Sequence, residues 1–196
     1  MKNFFLIVLF FPIIFSSCDQ PASPKPHGYF RIDLPEKIYS RFDTTFPYSF
    51  EYPSYSFITS DPHSPLEKYW ININFPAFKA TVHLSYKVVD RNLATYLEDA
   101  HTLVFKHISK ADAIYDSLIV DTARNLYGIT YQIEGSGAAS PYQFFLTDST
   151  SHFVRGALYF NTVPNNDSLE PVIKFIEKDI VHLIGTFNWQ NPSLKN

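Results

Sequence analysis

The hydrophobic pattern of this chain switches between a period of two and a period of three to four, and that alternation limits its fold more than any other feature. Tyr69-Trp-Ile-Asn-Ile-Asn-Phe75 puts Ile71, Ile73 and Phe75 on one side and Asn72 and Asn74 on the other, as a half-buried strand does. Thr81 to Lys87 repeats the pattern with Val82, Leu84 and Tyr86 inward. Ser49 to Tyr52 and Ser56 to Thr59 are shorter alternating pieces, separated at Pro53. From Asn92 to Lys110 the period changes. Leu93, Tyr96, Leu97, Ala100, Leu103, Val104, His107 and Ile108 recur at helical spacing and predict a helix with one buried stripe.

Four more strands are predicted: Ile114 to Asp121, Tyr127 to Glu134, Tyr142 to Thr147 and Phe153 to Asn161. Thr122 to Leu126 and Asp148 to His152 are short enough for antiparallel hairpins, and Gly135-Ser-Gly-Ala-Ala-Ser-Pro141 reads as a turn. A closing helix is expected to open with Asp167 as N-cap and Glu170 three residues on, with Pro171 in its first turn. Val172, Phe175, Ile176, Ile180, Leu183 and Ile184 line its apolar face. The result is an α+β fold: a single domain with a mainly antiparallel sheet covered by two main amphipathic helices. This order of elements resembles the PsbP/Mog1-like sandwich in layout, without a shared sequence motif.

The amino terminus sets a location. Lys2 precedes the apolar run Phe4 to Phe15, and Ser16-Ser17 then lead to Cys18, the pattern of a secretory signal peptide over residues 1–17. The run falls short of the ~20 residues that cross a bilayer as a helix, and Pro12 interrupts it. Cysteine directly after such a segment resembles a lipobox, although Phe15 stands where Leu is usual. The alternative is a free thiol, because the sole cysteine has no intramolecular partner. Two or more acyl chains, of the palmitate kind, would hold Cys18 stably at a membrane where one holds it only marginally. Residues 18–26 then form a proline-rich tether reaching about 25 Å in an extended conformation. His27 to Glu36 is too aromatic for linker and reads as an extended arm opening a globular domain over 27–196.

Net charge is −3 and no Lys/Arg-rich run occurs, which argues against nucleic-acid binding. The seven histidines do not assemble a metal motif: His101 and His107 sit six apart, about 240° around a helix. His107 fits a packing role, and His83 and His152 alternate outward from strands. The Gly135 to Ser140 loop leads into a strand and not a helix, so it lacks the amide-lined N-terminus that cradles phosphate. Ser136 lacks the closing glycine of a nucleophile elbow, because Ala138 occupies that place. No catalytic residue, cofactor or metal is expected. Charges set within apolar strands are the remaining candidates for partner binding. They are Arg31 and Asp33 in the arm and Arg155 between Val154 and Gly156, although such charges are more often an outward polar stripe or an internal ion pair.

Three segments carry a family resemblance: Gly28-Tyr-Phe-Arg-Ile-Asp-Leu-Pro-Glu36, Phe78-Lys-Ala-Thr-Val-His-Leu-Ser-Tyr-Lys87 and Arg155-Gly-Ala-Leu-Tyr-Phe-Asn161. Asn92-Leu93, Lys110-Ala-Asp112, Gln143-Phe144, Thr147-Asp-Ser149 and Pro164-Asn165 add to them. With these the chain resembles the GldD family of gliding motility lipoproteins of Bacteroidota, from Cys18 to the last helix. The resemblance implies a lipid-anchored, periplasm-facing envelope protein required for gliding and linked to type IX secretion. Its expected partners are other envelope proteins of those systems, it carries no assigned catalytic activity, and its lipidated cysteine maps to Cys18. A competing expectation is an envelope ligand-binding protein or enzyme acting on glycan, peptide or lipid through an aromatic cleft.

Overall fold

The structure is a computed structural model and describes residues 32–190. The chain divides into a unit Met1–Phe30 and a unit Arg31–Asn196, and all described residues belong to the second. Cys18, Arg31 and the tether lie outside them.

Two antiparallel meanders share one seven-stranded sheet. The first comprises β3 (Phe57–Ser60), β4 (Ile71–Phe75) and β5 (Ala80–Val88). Between β4 and β5 a 3-10 turn, Pro76–Phe78, ends at Lys79 in the left-handed region. The second meander runs through β6 (Ala113–Asp121), β7 (Leu126–Glu134), β8 (Tyr142–Thr147) and β9 (His152–Phe160). Its hairpins turn at Asn125, Gly135 and Ser149, all with positive φ. In the last of them one Asp148 oxygen accepts the backbone N–H groups of Thr150, Ser151 and His152, which closes the turn. Because β9 returns to pair with β5 over their full lengths, the strand order is β3-β4-β5-β9-β8-β7-β6.

Side-chain alternation gives this sheet two different faces. On one, Ile71, Ile73, Val82, Leu84, Leu146, Val154 and Leu158 form the main core with helix α2 (Asn166–Thr186). Val172, Ile176, Ile180, Leu183 and Ile184 supply the helix side of that core, as their spacing predicts. On the other face helix α1 (Leu93–Phe105) packs Ala100 and Val104 against Tyr131, Ile133, Phe145 and Phe153. Thus each helix covers one face, and the α+β expectation holds.

Not every strand joins that sheet. The strands β1 (Tyr39–Phe42), β2 (Tyr48–Pro53) and β10 (Asn188–Trp189) form a second, three-stranded sheet in the order β1-β2-β10. Tyr48 and Phe50 bury against Phe187, so the strand following α2 folds back beside a strand from the start of the domain. The sequence pattern predicts one sheet and neither β1 nor β10. Pairing with the first strand runs one residue past Pro53, where Ser54 N–H donates to the Ile38 carbonyl, and the turn closed by Ser56 N–H on the Pro53 carbonyl then sends β3 into the larger sheet.

Three local expectations are corrected. Helix α1 stops at Phe105, and the chain to Lys110 makes tighter turns in which His107 N–H donates to Val104 and Ile108 N–H to Phe105. Ile108 is 62% exposed, so it offers no apolar contact that would prolong the helix. The N-cap of α2 is Asn165, with no side-chain cap bond, and Asp167 lies inside the first turn, where its charge suits the helix dipole. The start of α2 is held instead by Asn166, whose Nδ2 donates to the carbonyls of Gly135 and Ala138 at 2.9 Å each. Pro171 stands beyond the first turn, and the helix continues through it.

Candidate functional site

Strand β9 is the middle of the seven-stranded sheet, and its residues alternate between the two faces. Val154 and Leu158 enter the main core; Phe153, Arg155, Ala157 and Tyr159 project to the face that α1 only partly covers. Register then determines what stands beside them. Ala157 pairs with His83 on one side and Gln143 on the other, and the same row continues to Asn72 and Thr59 in one direction and Tyr131 in the other. The result is a polar row across the sheet with a small residue at its centre.

Arg155 and Tyr159 flank Ala157 along the strand and close over it, leaving Ala157 only 1% exposed. Arg155 donates from Nη2 to Gln143 Oε1 at 2.5 Å, and the nearby Tyr159 side chain acts on it electrostatically. A guanidinium has only donors, so Gln143 must present its oxygen. Gln143 Nε2 is thereby left buried without an acceptor, a deficit that costs about 1–3 kcal/mol. His83 Nδ1 lies 2.7 Å from Asn72 Oδ1, and its ring meets Tyr159 edge-on with centroids 5.7 Å apart.

The electrostatics follow from burial beside one cation. Burial pulls the Arg155 pKa down from its ordinary value, yet an arginine still carries its charge at neutral pH. Burial lowers the pKa of His83 against the opposing charge of Asp61, with His63 and Arg155 adding smaller lowering effects; burial, followed by Arg155, lowers His107 in the turn after α1. Both imidazoles are neutral at pH 7. No carboxylate pairs with Arg155 among the described residues. Lys87, the other cation on this face of β5, is already paired with Glu67 at 2.6 Å.

The three partner-binding candidates do not converge. Arg31 lies outside the described residues. Asp33 is exposed, and its neighbour Ile32 packs against the main core, on the sheet face opposite Arg155. Of the three, Arg155 alone stands beside the polar row, in company that sequence inspection missed: Gln143, Ala157, Tyr159 and His83. The available signal was the alternation Phe153, Arg155, Ala157, Tyr159, with a small residue between two long polar ones. His152, expected to face outward, shares the Val154 face: Tyr86 Oη is 2.7 Å from its Nδ1, and its ring stacks on Trp189. A groove of about 260 Å³ lies elsewhere, between the Gly135 turn and the start of α2, and Asp112, Glu134, Asn166 and Asp167 help to line it. It includes neither Arg155 nor Asp33, and among the described residues no cluster of three potential metal ligands occurs.

The family model for "Gliding motility lipoprotein GldD" matches residues 19–189, which takes in both sheets, both helices and the Arg155 row. The chain belongs to this GldD family. Membership gives it a role in gliding motility and associates it, as a lipoprotein, with the cell envelope. No curated protein matches the chain. Among solved structures, the chain is similar to the cyanobacterial PsbP of Synechocystis in solution, at 9% identity and a TM-score of 0.48 over 85% of this chain and 100% of that one. No described helix of this GldD protein is long and apolar enough to cross a membrane.

Proposed function

We propose that this GldD protein is a noncatalytic assembly or stabilising component of the gliding apparatus, linked to type IX protein secretion. Lipid on Cys18 holds it to a membrane, the domain faces the periplasm, and the sheet face around Arg155 docks another envelope protein of those systems. The observation that supports this reading is the half-buried Arg155 guanidinium, which has no carboxylate partner among the described residues and stands beside a largely buried polar row. Confining both partners to one surface raises their effective concentration with no added contact.

Crosslinking and affinity capture from native envelopes test the proposal, with intact protein compared with a Cys18→Ala form. Intact protein is expected to recover envelope partners, and the unanchored form to recover them weakly. Failure of the intact protein to recover any under conditions that preserve motility would refute it.

A second reading, an envelope ligand-binding protein or an enzyme acting on glycan, peptide or lipid, rests on the groove beside Asn166, which is lined by no Tyr or Trp of the aromatic cleft expected for it. In that case Glu134→Gln would abolish gliding while partner capture stayed intact.

A further inference from the structure

The Arg155 row has a chemical deficit of one kind. Among the described residues Arg155 donates its one side-chain hydrogen bond to a neutral group, Gln143, although a cation taken partly out of water is compensated only by a counter-charge or full hydrogen bonding. Gln143 is 1% exposed, its oxygen is committed to Arg155, and its Nε2 finds no acceptor. Donors outnumber acceptors here, and the missing group is an anion.

Resting on the reading that this face docks an envelope partner, we propose that Arg155 receives a carboxylate from that partner, an Asp or Glu side chain set against the guanidinium fork. A carboxylate is acceptor-only and matches the planar guanidinium with two parallel bonds. Charge count favours it over a phosphate dianion, because Arg155 has no carboxylate partner among the described residues and Lys87 is paired with Glu67. Shape favours a protein over a small free acid. A small ligand needs a concavity that encloses most of its surface, and neither Arg155 nor Gln143 lines the 260 Å³ groove. A residue delivered on a large partner surface has the rest of that surface to exclude water.

The test uses full-length protein in native envelopes and turns the site into a carboxylate trap. Arg155→Lys places a primary amine at the row, and a water-soluble carbodiimide activates a neighbouring carboxylate so that the amine forms an amide with it. The expected product is an adduct joining position 155 to an Asp or Glu of another envelope protein, located by mass spectrometry and absent from the arginine parent. In parallel, a benzophenone amino acid replacing Thr59, exposed on the same row, captures whatever docks there without regard to charge. Arg155→Glu should reduce that capture at least about tenfold, the scale of a lost charge-assisted hydrogen bond. Capture at Thr59 that Arg155→Glu leaves unchanged overturns the carboxylate contact and leaves the assembly reading standing. Silence at Thr59 in the parent protein removes the docking face and the carboxylate contact together. A position-155 adduct to cell-wall peptide, or no adduct, also overturns the proposal. Thermal unfolding of each variant guards against a folding defect, and should Arg155→Glu not fold, the Arg155→Lys adduct alone decides.

Discussion

Lys37 Nζ sits 2.7 Å from Asp179 Oδ1, joining the extended segment before β1 to the middle of α2 across 142 positions of sequence. The Asp179 side chain is 1% exposed, and the hydroxyls of Tyr39 and Tyr55 also donate to it. Lys37 donates to the Phe175 carbonyl as well, and its ammonium lies 3.5 Å from the Phe175 ring centroid. Burial, with the hydrogen bond to Asp179 behind it, pushes the Tyr39 hydroxyl up to about 12, so it remains a donor throughout the physiological range.

Asp179→Ala is therefore expected to lower stability by about 3–5 kcal/mol, because it strands a partly buried ammonium and two hydroxyls. Asp179→Asn keeps an acceptor and should cost less. Urea unfolding measures both, and a loss under about 1 kcal/mol for the alanine variant would show that the cluster is not a structural clamp.

Glycine positions predict opposite outcomes. A Cβ on Gly128 would fall 2.0 Å from the Phe145 carbonyl oxygen, a backbone atom of the neighbouring strand that has nowhere to move. Gly128→Ala should leave little folded protein. At Gly185, near the end of α2, a Cβ meets nothing within 4 Å, so Gly185→Ala should stabilise by roughly 0.4–1 kcal/mol through loss of unfolded-chain entropy. Calorimetry of the two variants reads both signs, and a destabilised Gly185→Ala would contradict the open space there.

Stability should fall as pH drops below about 6.5, the ordinary histidine value. Burial lowers the pKa of His83, His107 and His152, so the unfolded state binds protons that the folded state refuses. The histidine contribution is complete above the unfolded pKa and is lost as pH falls through the folded one. Asp148 opposes the shift at His152, which keeps its ring between Tyr86 and Trp189. Urea midpoints at pH 7.5 and 5.5 should differ, and His152→Gln should shrink that difference; equal midpoints in the parent would sink the argument.

Labelled fatty acid should be incorporated by the intact protein and not by Cys18→Ala, which should also leave the membrane fraction. Incorporation that survives the substitution would place the lipid elsewhere.

The periodic segments were legible because alternation and helical spacing are local consequences of burial on one face. β4, β5 and β7 to β9 fall within a residue or two of their predicted bounds, and the apolar face of α2 lies where its spacing puts it. Short strands were not legible. Asn188–Trp189 becomes a strand only because Ser49 and Tyr48 lie beside it, and two residues carry no period. Asp179 falls among the apolar positions of α2 but reads as polar, and nothing near it in sequence announces Lys37 or Tyr55. The Arg155 row shows the same division. That Arg155 interrupts an apolar strand is visible in the sequence, but its neighbours come from β4, β5 and β8.

By itself, then, the sequence determined the order and period of the elements, the α+β class and, through residues spread over its length, the family. Tertiary structure alone decided that two sheets form instead of one, that Asp179 gathers Lys37, Tyr39 and Tyr55 onto α2, and that Gln143 and Ala157 are the neighbours of Arg155. The reason is that periodicity reports which side of an element is buried, whereas strand register brings together residues whose separation in sequence carries no signal of their contact.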